Sequence, residues 1–244
     1  MSTKILYCGD SPVGGAANYL LGALRHMRAR VVHLPPAEKL RPKDLQKSYD
    51  VIIFSDYSKT EVDSKVERLI TAQVESGTGF LMIGGWGSYS GPLGGWKGSL
   101  IEKLLPVICK NSDDRTNFPS GASVVLKNRY GFLNAQSFKQ TPSICGLNAV
   151  HPKPGSKILL AARPIISNGK KIRLAPKEYP LLVVDSQPDR RVAALTTDLA
   201  PHWCGGLVDW GNKTLKLSVT PRIQIQVGNY YIQFITSLLG WLAG

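Results

Sequence analysis

The sequence predicts an α/β fold in which a mostly parallel sheet is covered by helices on both faces, a flavodoxin-like three-layer sandwich. In the N-terminal part, short apolar runs alternate with stretches whose apolar residues recur at helical spacing. The apolar runs lack the alternation of half-exposed strands and are typical of parallel strands buried on both faces. A glycine-rich segment follows the fourth run, where open α/β sheets place their chemistry.

The predicted elements follow one another in a regular order. Strands are expected at residues 4–8, 31–34, 50–55 and 80–83. Helices are expected at 16–27, 42–49, 62–75 and 99–105, so that each strand is followed by a helix. Right-handed crossovers between parallel strands then leave few possible topologies.

The second half of the chain differs from the first in composition. Residues 106–156 are rich in Pro, Ser, Asn and Gly, which predicts an irregular segment with a hairpin over one end of the sheet. Further strands are expected at 157–164, 179–185 and 191–197, and a closing amphipathic helix at 230–242. No repeat or convincing linker is present. We therefore expect one domain over residues 1–244, with an irregular insertion at about 107–156.

Composition narrows the class of protein. The hydrophobic fraction of 43% in 244 residues indicates a globular chain rather than a disordered one. Apolar runs are too short for a membrane span, and the N-terminus lacks the layout of a signal peptide. These features predict a cytoplasmic protein without a membrane partner.

The net charge of +13 raises the question of nucleic-acid binding. The basic residues are scattered along the sequence, and no arginine-rich arm, helix-turn-helix or zinc finger is recognisable. An anionic small ligand or simple solubility explains the charge equally well. We expect no nucleic-acid partner.

The cysteines do not suggest a metal site. They stand apart and form no Cys-x-x-Cys pair, at positions Cys8, Cys109, Cys145 and Cys204. Free thiols acting as small buried hydrophobes are the simplest interpretation. We expect neither a bound metal nor an organic cofactor.

Four loops are predicted to meet at the carboxyl edge of the sheet, at 9–15, 55–59, 84–98 and 197–206. Carboxylates, a histidine and hydroxyls at one edge suit acid–base or nucleophilic chemistry, so the candidate catalytic residues are His202, Asp198 and Ser88. Glycine-loop amides are candidate donors to an oxyanion or phosphate. The candidate ligand contacts are Asp10, Asp56, Gly85, Trp86, Gly87, Tyr89 and Trp203.

Each of these residues also has a purely structural explanation as an alternative. The glycine segment matches neither the dinucleotide nor the P-loop pattern and could be only a tight turn. Asp10 and Asp56 could cap the helices that follow them. His202 could be held by a backbone carbonyl, and the tryptophans could belong to the core rather than to a pocket.

Three segments together resemble the glutamine amidotransferase-like family, a branch of the class I glutamine amidotransferase superfamily. They are Phe54-Ser55-Asp56, the glycine segment 83–91 with its continuation at 98–107, and residues 196–203. The likeness spans nearly the whole chain. It implies a flavodoxin-like α/β fold of the class I glutamine amidotransferase type.

This chain differs from active class I amidotransferases at the residues that carry their chemistry. Active class I amidotransferases have a cysteine within Gly-x-Cys-x-Gly and a His-x-Glu pair near the C-terminus. Here the elbow region is Gly84-Gly85-Trp86-Gly87, and Cys204 stands two residues after His202 in place of a glutamate. A glutamine thioester requires a thiolate at the elbow, so the usual glutaminase route is not expected.

Two functions from different classes follow from the sequence. The first is an amidotransferase-like protein without the elbow thiol that binds a small polar or anionic metabolite at the strand ends. In that case His202 acts as a base in a hydrolysis or isomerisation. The alternative is a non-catalytic scaffold or homo-oligomer subunit, with the Trp-rich loops buried in an interface.

Overall fold

In the computed structural model, the chain forms a mixed α/β fold with a central sheet covered on both faces. The structure describes residues 2–11, 15–169, 171–185, 187 and 189–244. The described α-helices are α1 Ala16–His26, α2 Ser64–Glu75, α3 Leu100–Leu104, α4 Pro201–Cys204 and α5 Asn229–Ala243, and the predicted helix at 42–49 is only a short 3-10 helix, Pro42–Leu45. The described strands are β1 Lys4–Gly9, β2 Arg30–Leu34, β3 Val51–Ser55, β4 Gly79–Ile83, β5 Val107–Ile108, β6 Arg115–Leu126, β7 Ser143–Asn148, β8 His151–Pro152, β9 Lys157–Ser167, β10 Ile172–Leu174, β11 Tyr179–Val184, β12 Val192–Leu195, β13 Thr214–Thr220 and β14 Ile223–Gly228.

The central sheet has the order β2-β1-β3-β4-β12-β11-β9-β6-β7. Its first five strands are parallel neighbours, and antiparallel strands extend the sheet from β11 onward. Every residue of β3, β4 and β12 is buried, which explains their continuous apolar sequence. The predicted α/β fold, with a mostly parallel sheet and helices on both faces, is therefore confirmed.

Two hydrophobic clusters lie on opposite faces of this sheet. One contains α1, α5 and part of the β13–β14 hairpin, with Leu24 and Leu239 among its buried residues. The other contains α2 and α3, with Ile70 and Ile101. The start of α2 is fixed by Asp63, whose Oδ1 accepts a hydrogen bond from the Val66 amide at 2.8 Å. Among the described residues, no helix combines the length and the apolar character needed to cross a membrane.

The second half of the chain has more regular secondary structure than predicted. The segment 107–156, expected to be irregular, contains β5 to β8, and β6 and β7 belong to the central sheet. The pairing of β6 with β7 shifts register between Asn117 and Ala122, so the sequence lacks an unbroken alternation across β6. The β13–β14 hairpin was not predicted, although Leu215, Leu217 and Val219 alternate with polar residues.

Candidate functional site

The carboxyl ends of β1, β3, β4 and β12 lie at one edge of the sheet. The Asp10 amide donates to the Ser55 carbonyl at 2.9 Å, which joins the turns after β1 and β3. The Gly84 amide donates to the carbonyls of Leu195 and Thr197 at 2.8 and 3.0 Å, which joins β4 to β12. Residues 12–14 of the first loop lie outside the described residues. The other three predicted loops meet at this edge.

Asp56 holds the glycine-rich turn after β4. It has a positive φ of 51°, its carboxylate accepts a hydrogen bond from the Gly87 amide, and its own amide donates to Ser88 Oγ at 3.1 Å. A Cβ atom on Gly85 would lie 2.7 Å from Asp56 Oδ1. The glycine at position 85 is therefore required by close packing against Asp56.

The amides of this turn are already engaged within the protein. Gly84 donates to strand β12 as described, Gly85 donates to Asn148 Oδ1 at 2.9 Å, and Gly87 donates to Asp56. These three N–H groups already have acceptors within the protein, so they give no support to the expected donation to an oxyanion or phosphate. The turn is so compact that its donors find acceptors inside it.

Ser88 and Tyr89 point into the protein rather than toward solvent. Ser88 is 1% exposed, and its hydroxyl donates to the Ile83 carbonyl at 2.5 Å. Tyr89 is fully buried, and its hydroxyl donates to the Met82 carbonyl at 2.9 Å. Both side chains brace the turn, so the geometry gives no basis for a catalytic Ser88 or a ligand contact by Tyr89.

The two candidate tryptophans have different positions. Trp86 lies at the rim with 51% of its surface exposed, and the Arg115 guanidinium stacks 4.0 Å from its ring centroid. Trp203 is buried against Gly146, and its Nε1 donates to Asn117 Oδ1 at 2.9 Å. Trp203 is therefore packed inside the protein, which does not favour the expected ligand contact, whereas Trp86 is accessible.

His202 and Asp198 form a contact just after β12. Asp198 Oδ1 accepts a hydrogen bond from the Cys204 amide at 2.8 Å, and its Oδ2 lies 2.7 Å from His202 Nε2. The Asp198 side chain is 7% exposed and that of His202 is 63% exposed. The contact with Asp198 raises the pKa of His202, and burial raises the pKa of Asp198. An accessible imidazole thus lies against a buried carboxylate.

Asp10 is the second titratable group of the site. Its Oδ2 accepts a hydrogen bond from the Tyr7 hydroxyl at 2.6 Å. Burial raises the pKa of Asp10 to about 7, opposed by hydrogen bonds from Ser55 and Tyr7 and assisted by the charges of Asp56 and Asp198. The charges of Asp10 and Asp56 also raise the pKa of His202. The turns after β1, β3 and β12 therefore share one electrostatic environment.

The cysteine side chains supply no reactive thiol at this site. Cys8, Cys109 and Cys204 are buried, and burial raises the pKa of each. Cys145 is exposed, but it lies within β7. Within the described part of the chain, no group of three or more His, Cys, Asp or Glu side chains is arranged to hold a metal ion.

Two residues of the site were missed by the sequence analysis. Asn148 Nδ2 donates to Asp114 Oδ1 at 2.7 Å, and Asp114 Oδ2 accepts from the Ser90 amide at 2.9 Å. Together they add hydrogen bonds to the turn at Gly85 and Ser90. Both lie in the segment expected to be irregular, and no local motif marks either of them.

Solved structures with the same fold come from Salmonella. Cytoplasmic protein STM1381 of Salmonella typhimurium LT2 is similar with 23% identity and a TM-score of 0.70, over 98% of both chains. Cytoplasmic protein STM3548 of Salmonella typhimurium is similar with 20% identity and a TM-score of 0.71, again over 98% of both chains. At this level of identity the likeness establishes the fold. No curated protein gave a significant sequence match.

A family model for GATase1_like proteins, described as "Putative glutamine amidotransferase", matches residues 10–219. The match includes the turns that hold Asp10, Asp56, the glycine segment and His202. The flavodoxin-like fold of the class I glutamine amidotransferase type, expected from the resemblance, is thereby confirmed. The chain belongs to the GATase1-like family of glutamine amidotransferase-like proteins.

Proposed function

We propose that this protein is a cytoplasmic member of its family that binds a small polar metabolite at the carboxyl edge of the sheet. We further propose that it transfers protons on that metabolite instead of forming a glutamine thioester. The observation that carries the proposal is that the charge of Asp10, whose pKa is about 7, acts on the accessible imidazole of His202. The cytoplasmic location is supported by the names of the two similar Salmonella proteins, both of which are called cytoplasmic.

The charges at the site favour one kind of ligand. Asp10, Asp56 and Asp198 bring three carboxyl groups close to one imidazole. An anionic group at this point would be repelled, whereas an amino or hydroxyl group could donate hydrogen bonds to the carboxylates. Of the polar and anionic metabolites expected from the sequence, we therefore favour a polar one that carries an amino or hydroxyl group.

The same groups suit general acid–base chemistry. Asp10, whose pKa is about 7, and His202, whose pKa is raised by its contact with Asp198, can serve as acid and base. Covalent catalysis has less support, because Ser88 is sealed and three thiols are buried with raised pKa values. Hydrolysis through an activated water and isomerisation by proton transfer both fit this arrangement.

A thermal-shift screen of amino- and hydroxyl-bearing metabolites tests the binding part. A ligand of the site raises the melting temperature of the wild type by mass action. The shift should shrink in His202→Gln and Asp10→Asn and persist in Asp189→Asn, which removes an exposed acid elsewhere. If a stabilising metabolite acts equally on all three variants, or if none stabilises the wild type, the proposal fails.

The scaffold alternative retains one observation in its favour. Trp86 and Leu93, both in the glycine-rich segment, are 51% and 63% exposed. They are linked by a hydrogen bond from the Leu93 amide to the Trp86 carbonyl at 2.9 Å. Two exposed large apolar side chains on one turn are suited to a subunit interface. Trp96, in the same segment, is fully buried and cannot contribute directly to such an interface.

A further inference from the structure

A cavity of about 330 Å³ lies where β8, β9 and β11 come together, apart from the candidate site. Its lining includes none of Asp10, Asp56, Asp198 and His202. Its volume falls at the small end of the range for pockets that bind small molecules.

The lining of this cavity is apolar at the base. Its base is formed by aliphatic side chains and prolines of β8, β9 and β11 and of the residues beside these strands. Among them are Val150, Ile158, Ala161 and Pro180. Val150 and Ala161 are almost fully buried, while Ile158 is only half-buried. An apolar group entering the cavity would remove this half-buried surface from water.

The rim of the cavity is basic. Lys110, Lys127 and Lys177 all line it, and Glu178 is the one acid among its lining residues. Glu178 is already paired, with Lys127 at 2.8 Å and with Arg163 at 3.9 Å. The described residues place no acid within ion-pair distance of Lys110 or Lys177, so the rim keeps an excess of positive charge.

These lysines are held at defined points of the rim. The Lys177 ammonium lies 4.6 Å from the ring centroid of Tyr179, which also lines the cavity. The carbonyl of Lys110 accepts a hydrogen bond from Ser90 Oγ at 2.6 Å, which anchors its backbone to the glycine-rich segment. The ring of Tyr179 therefore helps to position the Lys177 ammonium, while the backbone that carries Lys110 is fixed at the edge of the cavity.

We infer that this cavity binds a small organic anion, with an apolar body on the base and an acidic group between Lys110 and Lys177. The ammonium groups of Lys110 and Lys177, which have no ion-pair partner among the described residues, favour an anion, and the aliphatic base favours an apolar body. This site is distinct from the carboxylate-rich one, and it selects the opposite charge.

A fluorescence titration with 1-anilinonaphthalene-8-sulfonate tests the inference, because this probe joins an apolar body to an anionic group. N-phenyl-1-naphthylamine, which lacks the sulfonate, reports the apolar part alone. The double variant Lys110→Gln/Lys177→Gln should raise the dissociation constant for the sulfonate about five- to tenfold and leave the neutral probe nearly unchanged.

The matched control is Lys65→Gln/Lys213→Gln, which removes the same charge from exposed positions outside the cavity. It should bind both probes like the wild type, and equal melting temperatures should show that all variants are folded. The inference is overturned if the Lys110/Lys177 variant binds the sulfonate like the wild type. It is also overturned if the control loses as much affinity, or if the neutral probe weakens in parallel.

Discussion

The side chain of Asn148 binds both backbone polar groups of Gly85. Its Oδ1 accepts from the Gly85 amide at 2.9 Å, and its Nδ2 donates to the Gly85 carbonyl at 3.2 Å. The backbone amide of Asn148 donates to the Thr196 carbonyl at 2.8 Å. Thus the end of β7, the last strand of the sheet, returns to the turns that follow β4 and β12.

Replacing Asn148 with Ala should destabilise the protein. The substitution leaves polar groups of Gly85 and the Asp114 carboxylate without their buried partner, which costs about 2–4 kcal/mol. Urea unfolding measures the loss. Asn128→Ala is the control, because Asn128 is exposed and its side chain donates one hydrogen bond, to the Ile158 carbonyl. Equal losses in the two variants would contradict the role given to Asn148.

The pKa of Asp10 predicts a specific pH dependence of stability. Its pKa is raised from 3.8 to about 7 in the folded protein, chiefly by burial, so the folded state holds this proton more tightly than the unfolded state. The resulting stability is fully present below pH 3.8 and is lost as the pH rises through about 7, by about 4 kcal/mol at most.

Asp10→Asn removes this titration and keeps an acceptor for the Tyr7 hydroxyl. The free energy of unfolding of the variant, relative to that of the wild type, should therefore increase between pH 4 and pH 8. Denaturant unfolding at a series of pH values gives the difference. Parallel curves for the two proteins across this range would show that Asp10 ionises normally.

Thiol accessibility checks the absence of a reactive elbow cysteine. One of the four cysteines is exposed, Cys145, while the other three are buried with raised pKa values. We expect one thiol per chain to react quickly with 5,5′-dithiobis(2-nitrobenzoate) in the native protein, and four in denaturant. Cys145→Ser should abolish the fast reaction. A second fast thiol in the native protein would count against this account.

Trp86 and Trp96 offer a matched pair of substitutions. Trp96 is fully buried, and its Nε1 donates to the carbonyls of Tyr57 and Gly87 at 3.0 and 3.1 Å. Trp96→Ala should therefore cost about 3–5 kcal/mol of stability, whereas Trp86→Ala at the exposed rim should cost less than about 1 kcal/mol. Chemical denaturation measures both values, and a reversed order would contradict the placement of the turn.

Light scattering on the Trp86→Ala variant also tests the scaffold alternative. If that alternative holds, the wild type is an oligomer and the variant has a smaller mass. A monomeric wild type would remove it.

The sequence was sufficient to predict the elements whose burial is uniform. Strands such as β3 and β4 are buried on both faces, so continuous apolar runs mark them. The edge at which Asp10, Asp56 and His202 meet follows from the parallel order of the strands that precede them.

What could not be predicted depends on long-range pairing or on single-residue geometry. Asn148 and Gly85 are 63 positions apart, and nothing local to either residue marks the contact. The inward direction of Ser88 and Tyr89 is set within a tight turn, where Tyr89 has a positive φ of 48°. The sequence reveals which residues such a turn contains but not which of them face solvent.

The central claim is that Asp10 after β1 and His202 after β12 share one site, and NMR titration of the His202 imidazole tests it most directly. In the wild type its pKa should lie above 6.5, and it should fall in Asp198→Asn, which removes the contacting carboxylate. It should also fall, by a smaller amount, in Asp10→Asn, because the Asp10 charge contributes to the raised value. Asp189→Asn should leave it unchanged. An identical titration of His202 in Asp10→Asn and wild type would contradict the claim.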